Sequence, residues 1–130
     1  MDKRTKILIV DDDPRNIFAL NYALKIKGYD VLSCTDALQA MGYLEDVPQI
    51  GIVLLDMMMP DIDGFEMMEM IRAKGLKRSL GVIAVTARTM PGDMERCFDS
   101  GVDGFVSKPI DLDLLLVEIE RLLERSGKGQ

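Results

Sequence analysis

Histidine is absent from this 130-residue chain. That removes imidazole acid–base catalysis, the commonest zinc sites and any role as a phosphohistidine carrier. Cysteine is scarce: Cys34 and Cys97 fall in separate elements without metal-ligand spacing, so free thiols in a reducing cytosol are expected. No apolar run approaches membrane-spanning length, and Met1-Asp2-Lys3-Arg4 leads into a strand rather than a signal-peptide core. Neither membrane insertion nor export is therefore expected, and the location expected is cytoplasmic. An excess of positive charge is missing too. The net charge of −6 argues against direct nucleic-acid binding. There are no repeats, linkers or low-complexity segments. What remains is an ordinary globular balance, 48% hydrophobic and 29% charged, in a chain of single-domain size.

The apolar pattern is that of an alternating α/β chain. Lys6 to Val10, Tyr29 to Cys34, Ile50 to Leu55, Gly81 to Val85 and Gly104 to Val106 read as five short buried strands. Between them lie helical stretches with end signals. Asp13-Pro14 opens the first helix and Gly28 stops it; Thr35 or Asp36 caps the second, which ends before Pro48. The third runs from Phe65 to about Lys74, and the fourth from Pro91 to near Gly101. The last runs from Asp111 to Arg125 on a stripe that includes Leu112, Leu115, Ile119 and Leu122. The domain is expected over residues 1–125, with a frayed tail over 126–130. Alternation of this kind predicts a doubly wound five-stranded parallel sheet with five helices. We favour the flavodoxin-like strand order 2-1-3-4-5, whose switch point lies between strands one and three.

That order concentrates chemistry at one sheet edge. Strand one ends in Asp11 and Asp12, strand three in Asp56, strand four in Thr86 and strand five in Lys108. Three carboxylates in one pocket repel, at about 4 kcal/mol per pair 4 Å apart in a moderate dielectric. Protons or a cation must neutralise them, and with oxygen ligands only the cation should be hard: Mg²⁺, or Mn²⁺. The loop after strand one is triply acidic and lacks glycine, so it is no phosphate cradle for a flavin or nucleotide. A carboxylate beside a metal, an amine and a hydroxyl is a plausible phosphoryl acceptor. Asp56 is the candidate nucleophile, with Lys108 and Thr86 on the phosphoryl oxygens. The Asp61-Ile62-Asp63-Gly64 run lacks the further acids of a calcium loop.

Residues 6 to about 124 resemble the receiver domains of bacterial two-component response regulators. The likeness is closest to receivers of hybrid histidine kinases and to single-domain regulators. It rests on Asp11-Asp12, Asp56, Thr86-Ala87 and Lys108-Pro109, and on the runs Thr86 to Asp93 and Asp12 to Asn16. The resemblance implies that Asp11 and Asp12 are the metal-binding acid pair, with the Met58 carbonyl as a backbone ligand, and that Asp56 is the phosphorylated aspartate. It further implies that Thr86 and Ala87 are the switch hydroxyl and its small neighbour, that Phe105 is the switch aromatic, and that Lys108-Pro109 is a cis peptide. The function implied is a phosphorelay switch, catalysing only its own phosphorylation and dephosphorylation. Its donor is a histidine kinase or histidine phosphotransfer protein, and its output passes to a downstream protein target. The alternatives are a constitutive interaction module or a receiver excised from a hybrid kinase. A phosphatase for outside substrates lacks a second acid two residues past the nucleophile, where Met58 stands.

The first helix carries two apolar sets. Ala19, Leu20, Ala23 and Leu24 are expected against the sheet, and Ile17, Phe18, Tyr22 and Ile26 largely on another face. One stripe suffices to cover a sheet. Phe18 and Tyr22, adjacent on the helix and close to the acidic pocket, are the candidate docking patch for the donor.

Overall fold

The computed structural model describes residues 5–128, with side chains to residue 125. Five strands form one parallel sheet: β1 (Lys6–Val10), β2 (Asp30–Cys34), β3 (Ile50–Asp56), β4 (Gly81–Thr86) and β5 (Gly104–Ser107). Their spatial order is β2-β1-β3-β4-β5, as the alternation predicts. The helices are α1 (Pro14–Ile26), α2 (Ala37–Asp46), α3 (Gly64–Ala73), α4 (Pro91–Asp99) and α5 (Leu112–Lys128).

Successive strand side chains point to opposite faces, so each strand feeds two cores. Leu8, Val10, Val53, Leu55, Val82 and Ala84 face α2, α3 and α4. Ile7, Ile9, Ile52, Leu54, Ile83 and Val85 face α1 and α5. Burial on both faces explains why the strands read as continuous apolar runs. Each fully buried Ile or Leu contributes about 2 kcal/mol by area.

Local signals fix the helix starts. Asp36, not Thr35, caps α2 by accepting from the Gln39 amide at 2.8 Å. Asp63 and Glu66 form a reciprocal capping box at the start of α3, at 2.9 and 3.0 Å.

Two expectations need correction. On α1 the sheet-facing set is Ile17, Leu20 and Leu24, whereas Ala19 is exposed and Ala23 half-buried. Turning about 100° per residue, the helix brings Ile17 onto the Leu20–Leu24 stripe and carries Ala19 off it. At the other end α5 continues to Lys128, so residues 126–128 of the expected tail are helical. A glycine such as Gly127 costs a helix only about 1 kcal/mol and does not by itself stop one. Residues 129 and 130 lie outside the described residues.

Candidate functional site

The parallel ladders bring the reactive residues together by register. Val10 pairs with Leu55, so Asp11 follows on beside Asp56. Asp56 pairs with Val85, and Thr86 with Ser107. The ladder continues past the strand ends: the Met57 amide donates to the Val85 carbonyl at 3.0 Å, and the Lys108 amide to the Thr86 carbonyl at 2.9 Å. Strand order and register alone thus converge Asp11, Asp56, Thr86 and Lys108 on one edge.

Among the described residues, the buried polar or charged side chains are Asp11, Asp56 and Thr86. All three belong to this one site. A fold that buries its hydrophobic residues and then buries two acids beside each other is arranging chemistry, because unpaired buried charge is costly.

The carboxylates are held from several sides. Asp11 Oδ1 accepts from the Asp13 amide at 2.8 Å, and its Oδ2 accepts from Asn16 Nδ2 at 3.4 Å. Asp56 Oδ1 accepts from the Met58 amide at 3.0 Å. Lys108 Nζ stands 3.3 Å from both Asp11 Oδ2 and Asp56 Oδ2. Asp12 is exposed, and one oxygen each from Asp11, Asp12 and Asp56 lie within 4.8 Å of one another. Three carboxylate oxygens at that spacing, with a single lysine to offset them, fit a small hard cation. Thr86 Oγ1 accepts from the Arg88 amide at 3.1 Å, which leaves the hydroxyl proton free to donate elsewhere.

Electrostatics follow from burial. Loss of water pushes the Asp56 carboxyl up to about 6; Asp11 pushes the same way, against the Met58 amide and Lys108. Burial works against the Lys108 ammonium, but the Asp56 and Asp11 carboxylates outweigh it and raise its proton affinity.

The other anticipated residues fall as follows. Ala87 is exposed next to Thr86, and the Lys108-Pro109 peptide is cis. Phe105 is half-buried, its ring 6.5 Å from that of Phe98 on α4. Phe18 and Tyr22 are 76% and 65% exposed on α1, away from the sheet.

Three contributors escaped the sequence reading. Asn16 as a donor to Asp11 follows only from the helical turn that returns it to the strand end. At Gly64 a Cβ would meet Met57 Sδ at 2.6 Å and Met57 Cα at 2.7 Å, so close packing demands the glycine. The Arg96 guanidinium stacks 3.8 Å from the Phe65 ring centre, bridging α4 and α3 beside Thr86. Thirty-one positions of sequence separate that pair, and no local signal announces it.

Comparison with known proteins gives a consistent picture. A family model described as the response regulator receiver domain matches residues 7–120. The chain is 37% identical over 124 residues to the sensor histidine kinase RcsC of Escherichia coli, covering 95% of this chain and 13% of the kinase. It is 31% identical over 123 residues to the DNA-binding dual master transcriptional regulator RpaA of Synechocystis, covering 95% and 51% respectively. The crystal structure of a response regulator receiver protein from Pseudomonas putida is similar with a TM-score of 0.84 at 30% identity, covering 93% of this chain and 99% of that one. The chain spans about half the length of the Synechocystis relative and far less of the kinase. Among the described residues, no helix is long and apolar enough to cross a membrane.

Proposed function

The chain belongs to the response regulator receiver domain family, and from that premise we propose that it is a phosphorylation switch whose acceptor is Asp56. The observation that carries this reading is the burial of Asp11, Asp56 and Thr86 around one lysine at the sheet edge.

In the proposed reaction an Asp56 carboxylate oxygen attacks the phosphorus of a partner's phosphohistidine. The new P–O bond forms as the P–N bond breaks, and the imidazole leaves with a proton from solvent. Lys108 neutralises charge on the transferring group, and the Thr86 hydroxyl donates to one of its oxygens. The Met58 amide, already on Asp56 Oδ1, orients the nucleophile. Mg²⁺ or Mn²⁺ held by Asp11, Asp12, Asp56 and the Met58 carbonyl would neutralise the acid cluster and the phosphoryl oxygens. Reversal is hydrolysis at the same phosphorus, so the chain catalyses only its own labelling and release.

Signalling then follows from the Thr86 hydroxyl. Drawn to the phosphoryl group, it vacates space into which Phe105 turns, shifting the surface of α4, β5 and α5 toward a downstream protein target. The donor is a histidine kinase or a phosphotransfer protein, docked on Phe18 and Tyr22 of α1. Both side chains are too exposed to be core and begin one turn from the acid loop.

The test is chemical mapping. A small acyl phosphate plus Mg²⁺ should label Asp56 alone, as read by mass after trapping the acyl phosphate. Full labelling of Asp56→Asn, or an undiminished rate in chelator, would refute the assignment.

A further inference from the structure

Methionine is abundant here, ten residues of 130, and its members divide by access. Met57, Met59, Met67 and Met68 are buried in the core under α3. Met58, Met90 and Met94 are exposed, and of these Met58, at 47%, lines the crevice that also holds Thr86 and Arg88. Its backbone is fixed, because its amide donates to Asp56 Oδ1. A flexible, oxidisable thioether therefore lines the crevice beside Thr86, on a backbone anchored to the Asp56 carboxylate.

We propose that Met58 is a reversible oxidation site that sets the lifetime of the phosphoryl group on Asp56. This rests on the reading of Asp56 as the acceptor. The oxidant is a hydroperoxide. The sulfur lone pair takes the terminal peroxide oxygen, the O–O bond breaks and an S=O bond forms. Sulfur loses two electrons, and the peroxide is reduced to water or an alcohol. Sulfoxide reductases return the thioether.

The consequence follows from hydrogen bonding. A thioether is a weak acceptor and holds water poorly, whereas a sulfoxide oxygen is polar and accepts strongly. At position 58 that oxygen gives a water a partner at the mouth of the crevice. Hydrolysis needs such a water: its oxygen bonds to phosphorus, the phosphorus–Asp56 oxygen bond breaks, its protons pass to phosphate and solvent, and the carboxylate is restored. The Arg88 guanidinium faces Asp93 at 3.6 Å on the wall of the same crevice. Only the side chain changes, so the Met58 amide keeps its bond to Asp56.

The experiment uses the full chain loaded from a small acyl phosphate, with and without brief exposure to dilute hydrogen peroxide. Peptide mass mapping reports which methionines are sulfoxides, and intact mass follows the phosphoryl group. The expected result is conversion of Met58 ahead of Met57, Met59, Met67 and Met68, with the half-life shortened about fivefold, the scale of one net hydrogen bond. Methionine sulfoxide reductases should restore it. Met58→Leu, measured against its own untreated baseline, should show no response to peroxide. Met58→Gln, which places a permanent acceptor there, should have a short half-life without oxidant. An unchanged half-life with Met58 fully converted overturns the proposal, and so does an equal response in Met58→Leu. Absence of label on Asp56 in untreated protein overturns the acceptor assignment itself, and with it this inference.

Discussion

Neutralising position 56 should stabilise the metal-free protein at neutral pH. The Asp56 side chain is 3% exposed, and burial raises its carboxyl to about 6 against an ordinary 3.8. That difference corresponds to about 3 kcal/mol of differential interaction. In the unfolded chain the acid releases its proton near pH 4, whereas the folded acid keeps it to about 6. Between those values the folded state binds more protons, so rising pH removes stability; the loss is complete above about 6. Asn abolishes this cost and retains an oxygen for the Met58 amide. The contact with Lys108, which keeps Asp11 at 3.3 Å, already opposes burial in that raised value. The gain for Asp56→Asn is therefore about 3 kcal/mol, or roughly 9 °C in Tm for a domain of this size.

The assay is thermal and urea unfolding of both proteins in chelator, across about pH 4 to 8. The gap should be small at the acid end, where both side chains are neutral, and widen to its full value above about pH 6. A variant less stable than wild type at neutral pH, or a gap of constant size, would refute the reasoning. It would mean that the Asp56 carboxylate is net stabilising through Lys108.

Added Mg²⁺ should raise the wild-type Tm, by about 1.4 kcal/mol of stability at tenfold its Kd, and chelator should reverse the gain; Asp12→Asn and Asp56→Asn should each lose most of it. Thr86→Ala should still accept phosphate from a small donor, but its backbone NMR spectrum should change far less on labelling than that of wild type. Gly64→Ala should cost about 2 to 3 kcal/mol in urea unfolding, because the new Cβ strikes Met57 backbone as well as a movable sulfur. Phe18→Asp and Tyr22→Asp should leave labelling by a small acyl phosphate intact yet strongly slow transfer from a cognate protein donor. Loss with both donors would indicate damage to the fold, and unchanged protein transfer would remove α1 as the docking face.

The strand ends were legible because a buried parallel strand must be apolar throughout, so a carboxylate closing it marks an edge. Two such carboxylates, with a hydroxyl and an amine closing two further strands, are brought together as Asp11, Asp56, Thr86 and Lys108 by the 2-1-3-4-5 order. What stayed hidden depends on distances across elements. The Arg96–Phe65 stack joins two helices whose spacing is set by the sheet face on which both pack. The requirement at Gly64 comes from how closely the turn after β3 folds back on Met57. On α1, Ala19 was expected against the sheet, yet it is exposed and the larger Ile17 packs there. Residue size tells how near a helix can come, and angular position tells which residue is there.

The two edges of the sheet are built to different standards. At the end away from the acids, Asp103 Oδ2 accepts from Lys77 Nζ and from the Val82 amide, each at 2.8 Å, while Lys77 also reaches the Leu80 carbonyl. Those bonds pin the start of β4 to the loop before β5. At the acid edge the chain carries its burdens instead. Asp61 sits at φ 65°, the one positive φ outside glycine among the described residues. Helix α4 starts at Pro91, and Met90 before it supplies no side-chain cap, unlike the acids that open α1, α2 and α3. Two acids are buried there around a single lysine. Strain, an uncapped helix and buried charge all lower the cost of local rearrangement. They lie at the Asp56 and Thr86 end of the sheet, opposite the end that Asp103 clips. On the proposed reading, a phosphoryl group on Asp56 would bias the loops at the acid edge while the two packed cores stay as they are.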